Sequence, residues 1–519
     1  MPITFSAAEI DLIIKAAADN GESSTRSHWA DQLRRLLHSL PDFEFQTTKA
    51  PPLVKLCAVG MHFGWRELER NVPLHLLANL SAKAKASLRR NLQRDLEWAT
   101  RPCFELERTS FGLAIASLGL AATSDPGSIE TRLLGDRPSH RLSSLFKEFP
   151  VLARLWCQLI HQWRMHVKEV LTRFEKDRRS LSRTFLSHRP AGPILDAQFG
   201  LSDRHHSGRT VVRLQFERDS IIYKPRSGRG ESEWSALLDW TNRRGFQPEV
   251  RPARVLVRNG YCWMEYVAPT PLKSEAAARR FYERMGGIVA AAYLCRAVDC
   301  HRENLIASGE QPVLVDVDAL WHVSPSTRTE SSGDHLYRTG FFPNTNPRSL
   351  QSRSSAFGPG AAGKHLPRLA GRPLRLGQYR RELARGFANA WRCILGTREA
   401  RGAFARRLQR IRSTKRRWFY WATETYAAIR DASIQPGALR SNSERELLIR
   451  FRCARDRVSS AVVEAEVRAL KNLDIPYFVG RTDHPLPPER STISPELLKA
   501  LCTALPNAPG RRGQPLHIL

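Results

Sequence analysis

Cysteine is scarce in this chain, nine in 519 residues, and no two stand as a Cys-x-x-Cys pair. That pattern excludes a disulfide framework and a four-cysteine zinc site. Cys300 and His301 are the only adjacent Cys and His, and no further ligands stand at a recognisable spacing from them. Long apolar runs are missing too. The most apolar stretch, Phe111 to Thr123, is short and interrupted by Gly and Ser, so no transmembrane segment is expected. Met1 to Lys15 lacks the basic start and apolar core of a secretory signal, and a cytoplasmic protein is the expectation. Acidic residues are outnumbered: 51 Asp and Glu face 81 Lys and Arg, for a net charge of +30. Such an excess accompanies a polyanionic partner, an acidic substrate or an arginine-rich genome. The basic residues are dispersed and mostly Arg. With no helix-turn-helix, zinc-finger or RNA-binding aromatic signature, nucleic acid is not the expected partner.

What is present is ample core material, with 42% of residues hydrophobic. From Phe5 to about Ser182 the apolar spacing is helical, which sets a helical N-terminal region over residues 1–190. Pro190-Ala191-Gly192-Pro193 marks a break, and the periodicity then changes. Thr210 to Phe216 and Ser220 to Lys224 are β-rich runs joined by Glu217-Arg218-Asp219, a hairpin pattern. Arg254 to Val257 and Tyr261 to Val267 form a second, around Arg258-Asn259-Gly260. Between them Glu231 to Arg244 reads as a helix with Trp234, Leu237, Leu238 and Thr241 on one face. This order predicts a kinase-like small lobe over 191–272. A long helix from Ser274 to about Arg296, the segment Asp299-Cys300-His301-Arg302-Glu303-Asn304 and two short strands around Gly309 follow. The second strand, Pro312 to Val317, carries Asp316 at its end. These open a mainly helical, kinase-like large lobe over 273–480, with a Ser-, Gly-, Pro- and Arg-rich insert near 324–373 and helical periodicity from Gln378 to about Leu473. Residues 481–519 read as a peripheral tail. The fold class is α+β, a kinase-like two-lobed core behind a helical front.

Phosphoryl transfer needs a cation on the nucleotide phosphates, oxygen ligands for Mg²⁺ and a base beside the attacking hydroxyl. Lys224 at a strand end supplies the first. Asp299 supplies the base, and it precedes Asn304 by five positions, the interval of a kinase catalytic loop. Asn304 and Asp316 supply metal oxygens. Glu231 or Glu233 is the carboxylate expected to pair with Lys224. Taken singly, Lys224 reads as a solvated strand end, and the Asp and Asn residues read as turn caps. Their joint order on this succession of strands and helices reverses that judgement. No glycine-rich loop precedes Lys224, which separates the chain from ordinary protein kinases.

Several ordered segments resemble the dehydratase domain of class II lanthipeptide synthetases, the LanM type, from the helical front to about Gly480. Leu145 to Arg154 and Arg173 to Asp177 are similar to its front. Asp203-Arg204-His205-His206-Ser207-Gly208-Arg209-Thr210-Val211 resembles its Asp-x-His-x-x-Gly-Arg/Lys-x-Val signature. Tyr223-Lys224-Pro225-Arg226-Ser227, Asp299 to Leu305, Pro312 to Leu320 and Asp474-Ile475-Pro476-Tyr477-Phe478 match further segments. The resemblance implies an enzyme that uses ATP and Mg²⁺ to phosphorylate Ser or Thr of a ribosomally made precursor peptide. It then eliminates phosphate to give dehydroalanine or dehydrobutyrine. Carried over by position, Asp203, His205, Arg417 and Thr423 serve elimination, His301 supports the catalytic loop, and Arg226 contacts phosphate. The family commonly has Asp-x-Glu where this chain has Asp316-Val317-Asp318, which withdraws a carboxylate by about an ångström. That departure keeps open a peptide kinase with weak or absent lyase activity. The basic charge keeps open a non-catalytic scaffold for peptide or nucleic acid. LanM-type synthetases also carry a zinc cyclase with two Cys and one His as ligands. No Cys-His pair follows Cys300, so the expectation is either ring closure by a separate cyclase or a product that keeps its dehydroamino acids.

Overall fold

The computed structural model describes residues 6–18, 28–39, 50–118, 133, 138–321, 332–343, 354–358, 363–455, 458–480 and 493–504. The chain is α+β, with short antiparallel strands among many helices. It divides into two compact units, residues 1–223 with 420–477 and residues 224–419 with 478–519. No helix among the described residues is long and apolar enough to cross a membrane.

The first unit is built on the helix Pro150–Phe185, whose Pro sits in the first turn, where a missing N–H costs nothing. It buries Trp156, Ile160, Trp163, Val167 and Phe174. Helices Pro52–Asn71 and Ala82–Ser117 pack against it. Gly60 allows the closest approach, because a Cβ there would stand 2.4 Å from the Trp156 ring. Trp156 Nε1 donates to Thr100 Oγ1 at 2.8 Å, so the buried indole keeps its hydrogen bond. Strands β1 (Asp196–Gln198), β2 (Val212–Gln215) and β3 (Ser220–Lys224) follow, β2 pairing antiparallel with both neighbours. The β2–β3 hairpin turns at 217–219 as its sequence predicts, closed by Phe216 N–H on Asp219 O at 2.8 Å. β1 had no alternating signal and was not anticipated. The last part of the unit, 420–477, contributes helices Thr423–Ala432, Asn442–Cys453 and Ser460–Lys471 around Tyr426, Ile449, Val467 and Ile475.

In the second unit the predicted helix is Arg229–Arg243, and β4 (Val255–Val257) and β5 (Cys262–Glu265) form the predicted hairpin, with Gly260 at φ 80° in its turn. The helix Glu275–Leu294 is capped by Ser274 Oγ, which accepts from Ala277 N–H. It packs backbone to backbone on helix Arg380–Leu395: a Cβ at Gly286 would lie 2.0 Å from Leu383 O, and one at Gly386 would lie 1.8 Å from Glu283 O. Strands β6 (Leu305–Ser308) and β7 (Gln311–Leu314) flank Gly309. β7 stops before Val317: the Val315 N–H still donates to Asn304 O in register, but its carbonyl accepts from Lys224 Nζ and the Asn304 N–H donates to His301 O, so the ladder goes no further. Of the expected insert, residues 322–331, 344–353 and 359–362 lie outside the described residues; within the rest, Ser332–Arg338 is helical and 368–369 pairs with 372–373. Arg416–Trp418 is a strand inside a stretch that reads as helical, and it pairs antiparallel with Phe478–Gly480, Arg417 facing Val479. Residues 481–492 and 505–519 of the expected tail lie outside the described residues. Between them helix Pro495–Ala504 buries Leu497 and Leu501.

Candidate functional site

Lys224 ends β3 and is only 4% exposed. Its ammonium donates to Glu231 Oε1 at 3.1 Å and to Val315 O at 2.5 Å, and it stands 3.6 Å from Asp316 Oδ2. Of the two expected partners it therefore meets Glu231, in the first turn of helix Arg229–Arg243. Glu233 instead lies 3.5 Å from Arg410. Helical geometry explains the choice, since positions 231 and 233 point about 200° apart. Arg226 adds a second cation, its guanidinium bonding Glu231 Oε1 and Asp316 Oδ1, each at 2.5 Å, with Nε 3.5 Å from Asp318 Oδ2. Two cations and three carboxylates thus share one cluster, with Lys224 and Glu231 buried and Arg226, Asp316 and Asp318 partly exposed. Burial pushes the Asp316 carboxyl up, but Arg226, Lys224 and Arg417 outweigh it and hold that group well below the carboxylate range. Burial also pushes Asp318 up, and there the neighbouring Asp316 reinforces it, so Asp318 stays raised. The two carboxylates are driven in opposite directions.

Asp299 has φ 67°, a left-handed conformation that a non-glycine residue holds only under constraint from its surroundings. Constraint comes from both sides: Asn304 Nδ2 donates to Asp299 O at 2.9 Å, and His301 Nε2 lies 3.3 Å from Asp299 Oδ1. His301 Nδ1 accepts from Glu303 N–H at 3.2 Å, so the imidazole proton sits on Nε2, facing the aspartate. Burial pushes the Asp299 carboxyl up to about 6, opposed by His301 and Arg417 and assisted by Asp318 and Asp316. A carboxylate poised there accepts a proton near neutral pH more readily than an ordinary aspartate does. Since the Asn304 amide nitrogen is the donor to Asp299 O, its Oδ1 is the acceptor end. That oxygen and the ionised Asp316 are hard donors of the kind Mg²⁺ takes. The donor set fits the ion. Among the described residues no group of three or more His, Cys, Asp or Glu side chains is arranged to hold a metal.

Arg417 lies on the strand Arg416–Trp418, its N–H donating to Asp318 O at 3.1 Å and its guanidinium over the Phe419 ring. The remaining residues predicted for the site belong to the first unit. Thr423 opens the helix Thr423–Ala432. Asp203 lines a cavity of about 160 Å³ together with Asp95, Trp163, His166, Arg204 and Arg430. His205 begins a tight turn, exchanging both backbone hydrogen bonds with Arg209, and its Nδ1 lies 2.7 Å from Ile475 O.

A family model described as a domain of unknown function, DUF4135, matches residues 149–363 and 358–481. The chain belongs to this family. The curated "Lacticin 481/lactococcin biosynthesis protein LcnDR2" of Lactococcus lactis subsp. lactis is 21% identical over 333 residues, covering 54% of this chain and 35% of the relative. The chain is thus similar to part of a protein of lacticin 481 and lactococcin biosynthesis. It spans about a third of that relative's length.

Three features of the site were not legible in the sequence. The Val315 carbonyl that seats Lys224 carries no sequence signal, because any residue supplies a carbonyl. Tyr223, just before Lys224, is buried and donates to Glu169 Oε1 at 2.7 Å, while Arg173 donates to its hydroxyl. A tyrosine at an inward strand position, with Glu169 and Arg173 one helical turn apart, was the available clue. Asp474 was noted in the resemblance but given no role.

Proposed function

We propose that the chain is a lanthipeptide-type peptide dehydratase of kinase-like, two-lobed architecture. In this reading it phosphorylates Ser or Thr of a ribosomal precursor peptide with ATP, then eliminates phosphate to leave dehydroalanine or dehydrobutyrine. The observation that carries the reading is the buried Lys224–Glu231 pair, with Asp316 3.6 Å from the lysine. A buried lysine beside carboxylates suits nucleotide phosphates, which supply the negative charge that compensates it. Asn304 and Asp316 would hold Mg²⁺, which would supply positive charge to the nucleotide phosphates. Asp299 accepts the substrate hydroxyl proton as that oxygen takes the phosphoryl group, and His301 orients it. Arg226 contacts phosphate.

In the second step His205 removes the α-proton of the phosphorylated residue. The electron pair forms the Cα–Cβ double bond, the Cβ–O bond breaks, and phosphate leaves with that bond's electrons. Asp203 and Thr423 serve this step, and Arg417 offers a guanidinium to the leaving phosphate. The family likeness supports a role in lanthipeptide modification. A precursor peptide as substrate, a separate cyclase for ring closure and a cytoplasmic location belong to the same proposal.

The test is mass spectrometry of purified protein with ATP, Mg²⁺ and its native precursor peptide. Products lighter by one water per modified residue are expected. No ATP-dependent change with that peptide removes the proposal. One observation favours a second reading, a peptide kinase with little lyase activity: Asp318 brings a shorter carboxylate, raised by burial and by Asp316, to a position where the family commonly has Glu. Accumulation of phosphorylated, undehydrated peptide selects that reading.

A further inference from the structure

We infer that Asp474 and Ile475 form a positioning device that fixes the place and the tautomer of His205. This inference rests on the assignment of His205 to the elimination step. All of its residues lie in the first unit, where the Asp474-Ile475-Pro476-Tyr477 segment lies along the turn 204–209.

The turn is strained. His206, Ser207 and Gly208 have φ of 47°, 69° and 80°, three consecutive left-handed residues of which only one is glycine. A non-glycine residue is strained in that region and persists there only when its neighbours over-determine it. The Asp474 carboxylate supplies that determination. Ser207 N–H donates to its Oδ2 at 2.6 Å and Gly208 N–H to its Oδ1 at 2.8 Å, a backbone nest closed around an anion. Asp474 is 3% exposed, so water does not substitute for either bond. A Cβ at position 208 would stand 2.8 Å from the Gln162 side chain, so the turn has no room to relax outward.

The same segment grips His205 directly. Ile475 N–H donates to Arg204 O at 2.8 Å, and His205 Nδ1 lies 2.7 Å from Ile475 O. A carbonyl only accepts, so Nδ1 carries the proton and, in the neutral ring, Nε2 holds the basic lone pair. Tyr477 packs edge-on against both His205 and His206, with ring centroids 5.0 and 5.2 Å away. The ring is therefore held with its acceptor nitrogen as Nε2, the form that takes an α-proton. Asp474 does not touch substrate in this scheme; it holds the turn that aims the base.

Two measurements test this. Long-range ¹⁵N–¹H NMR of histidine-labelled wild-type protein, with His205 assigned by difference from H205N, is expected to show the Nδ1–H form. An Nε2–H form overturns the inference, and this arm needs neither substrate nor a variant. In the second arm Asp474→Asn keeps the shape but offers one acceptor oxygen where two are used. Elimination from precursor peptide is expected to fall ~10- to 100-fold, with phosphorylation within about threefold, so that phosphopeptide accumulates. D474N that dehydrates at the wild-type rate overturns the inference, and so does D474N that melts like wild type but loses both steps together. If D474N does not fold, the wild-type tautomer decides. Failure of wild-type protein to dehydrate its peptide removes the proposed function instead, and leaves the tautomer result standing as a separate finding.

Discussion

Lys224 and Arg226 bring two positive charges into a place shielded from water, and Glu231, 2% exposed, is the anion both of them reach. Removing one member of such a cluster costs more than the cluster contributes, because an uncompensated charge is left behind. Glu231→Gln is expected to destabilise the protein in denaturant unfolding, by less than the ~3–5 kcal/mol of a fully orphaned charge, because Asp316 still faces both cations. It is also expected to slow phosphopeptide formation on the order of 100-fold, the scale of losing a preorganised electrostatic contact. A folded E231Q protein working at the wild-type rate would argue against Lys224 as the phosphate contact.

Asp299 gives a pH dependence whose sign follows from its raised folded value, about 6 against 3.8. Between those values the native state holds the proton more tightly than the unfolded chain. Its contribution to stability is therefore full at the acidic end and lost as pH rises through that window. Activity runs the other way, since the base must be ionised. Phosphorylation should rise through a limb centred near pH 6, and His301→Asn should move the limb upward, because the interaction with His301 lowers the Asp299 value. Steady-state rates across pH 5 to 8 (about three units around the limb) are the measurement, and an unmoved limb contradicts the Asp299–His301 coupling.

Among the elements, the crossing of helices Glu275–Leu294 and Arg380–Leu395 bears most directly on the site. The first helix leads into the Asp299 loop through Cys295, whose N–H ends it on Ala291 O. Gly286 and Gly386 set the spacing, and no side chain at either position is small enough to keep it. Gly386→Ala has to push Glu283 backbone aside, a loss of ~1–3 kcal/mol by overpacking, even though alanine is the better helix former by about 1 kcal/mol. The melting temperature should fall. If it rises, the helices do not meet at these two glycines.

At the scale of the whole molecule, the +30 charge is compatible with an anionic ligand of any size, so the decisive question is which anion is bound. A site-specific nucleotide stabilises the native state by ~2.7 kcal/mol at a hundredfold excess over its dissociation constant, whereas diffuse binding fades with salt. Wild-type protein is expected to melt higher with Mg²⁺ and a non-hydrolysable ATP analogue at moderate salt, and Lys224→Met is expected to lose the shift. Stabilisation by nucleic acid alone, abolished by salt and indifferent to K224M, would restore the scaffold reading. Since the chain is two compact units, the unfolding should be followed by more than one probe.

Local pattern alone determined the α+β class, both hairpins, the helix 229–243 and the order Lys224, Asp299, Asn304, Asp316, because turn chemistry and side-chain periodicity act between residues close in the chain. Tertiary structure decided what depends on distant residues. It selected Glu231 over Glu233 and ended β7 at Leu314 so that Val315 could serve Lys224. It made a strand of Arg416–Trp418 because Phe478–Gly480 lies beside it, and it joined 420–477 to the first 223 residues. Asp474 meets Ser207 across a sequence separation of 267. Closing so long a loop is an outcome of the whole core rather than of any local propensity, and no window along the chain encodes it.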